Sequence, residues 1–269
     1  MQRSICLACG TQFPESAEPP GVCPVCEDAR QYVPEEGQRW TTLEELRASH
    51  RAVIRDELPG LVGIGCEPSF AIGQRALLVP TGAGGNVLWD CQALLDDEIV
   101  AAIRARGGLE AIAVSHCHYY STMVEWAHAF DCPVYVHADD REWVLRPDPA
   151  VVLWAGEQRT LAPGLSLLRL GGHFAGGQVL HWADRRLLLS GDIVQVIPDR
   201  RFVGFMYSYP NLIPLPAAVV VEIARRLEPW DFEQIVGAWW GRVVRADGKE
   251  VVRRSAERYA AAVEGRLSL

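Results

Sequence analysis

Three segments of the sequence share one form, in which an apolar run typical of a β-strand ends in a turn that carries a metal-ligand side chain. They are residues 111–118 with His116 and His118, residues 165–173 with His173, and residues 187–192 with Asp192. Alternate residues of a strand share a face, so His116 and His118 are expected to reach the same side. Three imidazoles and one carboxylate suit zinc or iron. The pattern therefore predicts a metal site at these strand ends, and the alternative is a strand-end cluster without a metal.

Four of the eight cysteines form two Cys-x-x-Cys pairs, namely Cys6 with Cys9 and Cys23 with Cys26. The first residues lack the charged and apolar regions of a secretion signal, so we expect a cytoplasmic protein whose thiols stay reduced. Two such pairs predict one structural zinc ion held by four thiolates. A redox pair is the alternative, although a redox Cys-x-x-Cys is normally single. The remaining cysteines are interpreted as small buried hydrophobic residues.

Residues 1–35 have no apolar periodicity that could build a core, so this segment needs its metal in order to fold. The predicted domains are therefore a zinc ribbon at 1–35 and a larger α/β domain at 36–269. The sequence predicts helices at 38–49, 96–106, 122–130, 217–227 and 255–267, strands at 133–137 and 234–244, and a hairpin over 179–190. Asp96 is the expected N-cap of its helix, and Thr122 with Glu125 has the spacing of a capping box.

The chain is acidic, with a formal net charge of -8 and a pI of about 5.4. Nucleic acids and anionic membranes are bound by clustered Lys and Arg, so this balance argues against both as partners. No run approaches the ~20 apolar residues of a membrane span. We expect a small-molecule substrate, and the oligomeric state stays open.

Residues 61–241 resemble the metallo-β-lactamase fold superfamily, which includes the glyoxalase II-like metal-dependent hydrolases. The resemblance rests on Asp90 after a strand, on the His116-Cys117-His118-Tyr119-Tyr120-Ser121 segment, and on the Gly172-His173 and Gly191-Asp192 turns. It implies an αββα four-layer sandwich with a metal site along the strand ends. By the same resemblance, the first metal of the family would be bound by His116, His118, His173 and Asp192.

The residues that bind the second metal in this family are absent from the chain. Tyr120 stands in place of an aspartate, Ser121 in place of a histidine, and Trp240 in place of the last histidine. The resemblance therefore implies one ion, zinc or iron, at the histidine site. Asp192 is predicted as a ligand and, with Tyr120, as a catalytic residue. The Tyr120 phenol is expected to donate a hydrogen bond to substrate, and packing beside the following helix is its alternative role.

The leading functional hypothesis is a metal-dependent hydrolase of a small ester, thioester or amide, which uses a single metal held by three histidines and one aspartate. Two alternatives stay open: a mononuclear iron enzyme of the dioxygenase type, and a ligand-binding or protein-binding module that has lost catalysis. A nuclease is disfavoured by the acidic charge. His137, which ends a predicted strand, is interpreted as structural or as an orienting partner of a ligand.

Overall fold

Two units make up the part of the chain that the computed structural model describes, residues 1–267: one is Met1–Trp154 and the other begins at Ala155. The strands of the first unit are β1 (Gln2–Cys6), β2 (Gln12–Ser16), β3 (Trp40–Thr41), β4 (Arg51–Leu58), β5 (Leu61–Glu67), β6 (Ala76–Pro80), β7 (Asn86–Trp89), β8 (Ala111–Ala113), β9 (Val134–His137) and β10 (Val151–Trp154). Its helices are α1 (Pro24–Glu27), α2 (Leu43–Ser49), α3 (Asp97–Arg104) and α4 (Met123–Phe130), with 3₁₀ turns at Cys117–Tyr119 and Ala138–Trp143.

The strands of the second unit are β11 (Gln158–Ala162), β12 (Leu165–Arg169), β13 (Gln178–Trp182), β14 (Leu187–Gly191), β15 (Gln195–Val196), β16 (Val203–Gly204), β17 (Met206–Ser208), β18 (Ile213–Pro214), β19 (Gln234–Gly237) and β20 (Val243–Val244). Its helices are α5 (Ala217–Leu227) and α6 (Gly248–Val263), with a 3₁₀ turn at Ala183–Arg185. None of the helices among residues 1–267 combines the length and the apolarity needed to cross a bilayer.

The main sheet of the first unit has the strand order β10-β9-β8-β7-β6-β5-β4. Neighbours from β4 to β7 are antiparallel, and neighbours from β7 to β10 are parallel. Parallel neighbours need a crossover connection, which α3 provides between β7 and β8 and α4 provides between β8 and β9. Every residue of β7 and β8 is buried, as expected for strands covered on both faces. Strand β8 is thus a fixed central element, and the chain that leaves its end carries His116 and His118.

The N-terminal sheet has the order β2-β1-β3. Phe13 meets Trp40 edge to face, with ring centroids 5.2 Å apart. Ile5 is fully buried and belongs to an apolar cluster with Leu46 and Phe70 of the same unit. The ribbon therefore shares a core with neighbouring segments of the first unit, and the predicted boundary at residue 35 stays a prediction.

The large sheet of the second unit has the order β11-β12-β13-β14-β19-β20. All its neighbours are antiparallel except β14 and β19, which are parallel and are connected through α5. Helix α5 buries Val220, Ile223 and Leu227, a spacing of three and four residues that places them on one face. These side chains share an apolar cluster with Phe232 and with Val251 of α6.

Several sequence predictions about the elements are confirmed. Helix α5 has the predicted bounds 217–227. The Asp96 carboxylate accepts the Ile99 N–H at 2.8 Å and caps α3, as its position before the helix indicated. Helix α2 lies within the predicted range 38–49 but begins only at Leu43, because Thr42 and Glu45 form a capping box in which each side chain accepts the other's backbone N–H.

Three other predictions about the elements are wrong. Thr122 does not form the capping box, because its hydroxyl donates to the carbonyls of Gln92 and Ala93 at 3.2 and 2.9 Å instead. The strand predicted over 234–244 is a hairpin of β19 and β20, since the chain reverses at Gly241, whose φ is 66°. The closing helix begins at Gly248 rather than at residue 255.

Candidate metal centres

Among residues 1–267, the structure contains two groups of side chains that could bind a metal ion. Within each group, the ligand atoms all lie within 4.8 Å of one another. The first group consists of the four ribbon cysteines, and the second group consists of three histidines. They are Cys6, Cys9, Cys23 and Cys26, and His116, His118 and His173. We call them the cysteine group and the histidine group. Every member of both groups is buried.

The cysteine group has the dimensions of a tetrahedral thiolate site. The sulfurs of Cys6 and Cys26 are 3.6 Å apart, and so are those of Cys9 and Cys23. A disulfide would need about 2.0 Å between sulfurs. Sulfurs that bind one zinc ion at about 2.3 Å in a tetrahedron lie roughly 3.8 Å apart. The donor set therefore fits a metal ion rather than disulfides.

Local backbone structure brings the two cysteine pairs together. The first pair begins at Cys6, the last residue of β1, and continues in a turn in which the Gly10 N–H donates to the Cys6 carbonyl at 2.8 Å. The second pair brackets the start of α1, where Cys23 is the N-cap and Pro24 the first helical residue. Each pair thus presents two sulfurs from a tight turn, which is the usual geometry of a zinc ribbon.

The first two members of the histidine group follow β8. His116 is extended, with φ -172° and ψ 179°, and His118 lies in the 3₁₀ turn that comes next. Their ring centroids are 4.9 Å apart. The predicted proximity of the two imidazoles is present, although a turn rather than a continued strand produces it.

The segment before His116 is held by Asp90, which follows β7. Because β7 and β8 are parallel and Trp89 is in register with Ala113, Asp90 reaches the backbone of Ser115. Its carboxylate accepts the Ser115 N–H at 2.7 Å. Burial raises the pKa of Asp90 to about 7, although the hydrogen bonds from Ser115 act in the opposite direction.

His173 follows two glycines that both have positive φ, 72° at Gly171 and 86° at Gly172. The turn points the imidazole towards β17, where its Nδ1 bonds to the Tyr207 carbonyl at 2.7 Å. A carbonyl oxygen can only accept, so Nδ1 carries the proton and the Nε2 lone pair is left as the ligand atom. This is the usual way in which a protein orients a metal-binding histidine.

Asp192 is buried directly after β14, and its backbone carbonyl accepts a hydrogen bond from the Tyr209 hydroxyl at 2.7 Å. The group of three histidines does not include its carboxylate. Its roles as fourth ligand and catalytic residue stay predictions.

Tyr120 is buried beside the histidine-bearing turn, and burial raises the pKa of its phenol well above the ordinary value, with the charge of Asp140 adding to the effect. A phenol that keeps its proton can donate a hydrogen bond but cannot act as a base near neutral pH. This state agrees with the predicted role as a donor, and the catalytic role itself stays a prediction. Tyr120 also lines a small cavity with Thr11 and Gln12 of the ribbon.

The other histidines that the structure describes have separate contacts. His137 Nδ1 accepts the Asp139 N–H at 3.2 Å, and its ring meets Trp154 edge to face at 4.6 Å. His181 bonds to the Asp231 carbonyl at 2.7 Å. These contacts agree with the interpretation of His137 as a structural histidine.

The sequence is 49% identical over 269 residues to the uncharacterized protein YmaE of Bacillus subtilis (strain 168), a match that covers 98% of this chain and 97% of the relative. No family model matches the sequence. The shared length includes the N-terminal ribbon as well as the large sheets.

Solved structures with the same fold include the DIM-1 metallo-β-lactamase, with a TM-score of 0.61, 15% identity, and coverage of 79% of this chain and 98% of that chain. The metallo-β-lactamase FIM-1 from Pseudomonas aeruginosa in its mono-zinc form has a TM-score of 0.55, 14% identity, and coverage of 78% and 96%. A peroxy diiron species of the chemotaxis sensor ODP has a TM-score of 0.52, 18% identity, and coverage of 78% and 94%. At such identities the likeness is one of fold, and it confirms the predicted α/β fold class.

Proposed function

Because the chain belongs to the same family as YmaE of Bacillus subtilis and has the metallo-β-lactamase fold, we propose that it is a metal-dependent hydrolase of a small metabolite ester, thioester or amide. The observation that carries the proposal is the histidine group, in which three buried imidazoles offer ligand atoms within 4.8 Å of one another. Imidazole nitrogens are the common ligands of catalytic zinc, and an ion held by three of them and by Asp192 would take water or substrate as a fifth ligand.

The site is proposed to hold one ion, with Asp192 as its fourth ligand. The resemblance places the second-metal ligands of the superfamily at Tyr120, Ser121 and Trp240. An indole has no lone pair available for coordination, and a buried phenol keeps its proton. The solved FIM-1 structure in its mono-zinc form supports the view that a protein with this fold can bind a single zinc ion.

When bound, such a cation lowers the pKa of water towards ~7 or polarises a carbonyl oxygen. The residues of the chain supply orientation and a proton donor. His173 is held by the Tyr207 carbonyl so that Nε2 is the ligand atom. The Tyr120 phenol is proposed to donate to a substrate oxygen, which its raised pKa favours.

Zinc is the proposed metal at both groups. The alternative is an iron enzyme of the dioxygenase type with its iron at the histidine group. The chemotaxis sensor ODP, a protein of the same fold solved as a peroxy diiron species, favours a test of this alternative. A module that binds a metabolite without hydrolysing it is the other alternative, since three second-metal positions carry no ligand.

The test is metal analysis of the full chain purified without added metal, followed by panels of esters, thioesters, lactones and amides. We expect two zinc ions per chain and hydrolysis that His116→Ala abolishes together with one of the ions. His137→Ala is the matched control, because His137 is equally buried in the same unit but bonds to Asp139, and it should retain both ions. Iron with oxygen uptake and no hydrolysis would overturn the proposal.

A further inference from the structure

We infer that Gln74 is a positioning residue that couples the cysteine group to the histidine group. Its side-chain Nε2 donates to the Cys9 carbonyl at 2.7 Å and to the His118 carbonyl at 3.0 Å. Both acceptors are the backbone oxygens of proposed metal ligands, one in each group. The inference goes beyond the proposed function, since it concerns metal binding and not hydrolysis.

The hydrogen-bonding capacity of the Gln74 amide matches this position. A side-chain amide nitrogen has two hydrogens, and here each hydrogen meets one carbonyl oxygen. The two acceptors also fix which end of the amide faces the ligands, because the amide oxygen cannot donate. Gln74 is 5% exposed, so water cannot easily replace these bonds. A side chain that cannot donate would leave two buried carbonyls without this partner, which is unfavourable.

Two direct hydrogen bonds join the same two segments beside Gln74. The Ser121 hydroxyl donates to the Gly10 carbonyl at 3.3 Å, and the Gln12 N–H donates to the Ser121 carbonyl at 3.3 Å. Gly10 has a φ of 82°, and a Cβ there would lie 3.1 Å from the Gln74 amide nitrogen. The turn that carries Cys9 is therefore fitted closely against the turn that carries His118.

This contact predicts that each ion stabilises the binding of the other. An ion in the cysteine group fixes the Cys9 turn, and Gln74 transmits that order to the carbonyl of His118. Coupling between two binding sites is reciprocal, so filling the histidine group must also strengthen the cysteine group. Residues that orient metal ligands typically change metal affinity by about 10–100-fold when they are replaced.

The test uses the full chain with Zn²⁺ in the cysteine group and measures Co²⁺ affinity at the histidine group from its visible absorption. Gln74→Met keeps the length of the side chain and removes both donors, so Co²⁺ should bind about tenfold more weakly. Asn86→Leu is the matched control, because the Asn86 amide nitrogen also donates to two backbone carbonyls, those of Arg106 and Gly108, at 2.9 Å each. It lies in the same unit and is 3% exposed. Its loss should lower thermal stability and leave Co²⁺ affinity unchanged.

A reciprocal measurement separates coupling from general destabilisation. In the wild type, the chelator concentration that strips Zn²⁺ from the cysteine group should rise once the histidine group is filled, and in Gln74→Met this rise should disappear. If Gln74→Met does not fold, Gln74→Asn, whose shorter amide cannot span both carbonyls, takes its place. Equal Co²⁺ affinities in the Gln74 and Asn86 variants would overturn the coupling and leave the proposed function standing. No Co²⁺ binding to the wild type would overturn both.

Discussion

The turn before His173 makes a quantitative prediction for Gly172→Ala. Gly172 has a φ of 86°, and a Cβ there would lie 2.7 Å from the Cδ1 of Ile223. The left-handed conformation costs a non-glycine residue about 1–2 kcal/mol. The overlap adds about 1–3 kcal/mol, as is usual when a packed core receives an extra methyl group. We therefore expect the free energy of unfolding to fall by about 2–5 kcal/mol.

Two other glycines with positive φ separate the cost of the steric overlap from the cost of the left-handed backbone conformation. Gly171 has a φ of 72°, but its nearest neighbour to an added Cβ is the Ala175 carbonyl oxygen at 3.6 Å, an ordinary contact. Gly108 has a φ of 73° with no atom within 4 Å of such a Cβ. Alanine at either position should cost only about 1–2 kcal/mol. Of these two controls, Gly108→Ala should also leave the metal affinity of the histidine group unchanged.

Ile223→Val removes the atom that would overlap, so it should partly rescue Gly172→Ala. Ile223 is fully buried, and the single change to Val should itself cost about 0.5–1.5 kcal/mol. The double variant should be more stable than the sum of the single effects by about 1 kcal/mol, as measured by urea denaturation in a double-mutant cycle. The metal affinity of the histidine group should rank the variants in the same order as their stability, because the turn at Gly172 orients His173. Additive effects, or a Gly172→Ala no worse than Gly108→Ala, would refute this reasoning.

Three further perturbations have expected outcomes. The folded pKa of Asp90 is about 7, above its ordinary value of 3.8, so the wild type loses stability as the pH rises between these values. In chemical denaturation, the stability difference between Asp90→Asn and the wild type should therefore change in favour of the variant from pH 4 to pH 7 and then level off. A difference that does not depend on pH would contradict the assignment. Cys26→Ser should remove one ion per chain by elemental analysis and lower the melting temperature, whereas Cys132→Ser, at a buried cysteine outside the group, should retain both ions. Tyr120→Phe should lower the hydrolysis rate about 100-fold at unchanged metal content, and an unchanged rate would reduce Tyr120 to a packing role.

The features that could be predicted from the sequence are those in which the interacting residues lie close together along the chain. Asp96 stands directly before the apolar spacing of α3, and its carboxylate caps that helix. His116 and His118 follow a fully apolar strand, and the turn at Gly172 marks His173. In each case the end of a strand or the start of a helix lies within a few residues of a side chain that can bind a metal or cap a helix. The spacing of these residues is therefore enough to predict the feature.

The parts that the sequence did not reveal depend on partners far along the chain. Thr122 and Glu125 have the spacing of a capping box, but the Thr122 hydroxyl is used by carbonyls near residue 92, which no local motif can anticipate. Gln74 stands between Gly73 and Arg75 without any recognisable pattern. Its role arises from acceptors that are 65 and 44 residues away. An isolated amide becomes interpretable only when the fold shows which carbonyls it faces.

Ser121 connects the predicted loss of the second metal with the contact that the ribbon makes. By the resemblance to the superfamily it occupies the position of a second-metal histidine, and in this chain its hydroxyl and its carbonyl both bond to the ribbon, at Gly10 and Gln12. An imidazole at this position would remove the hydroxyl donor to Gly10 and bring a larger side chain against the Cys9 turn, where an added Cβ at Gly10 already meets Ser121 Oγ at 3.5 Å. Contact with the ribbon and ligation of a second ion therefore compete for the same residue. It follows that restoring a histidine at 121 should loosen the ribbon before it creates a second site.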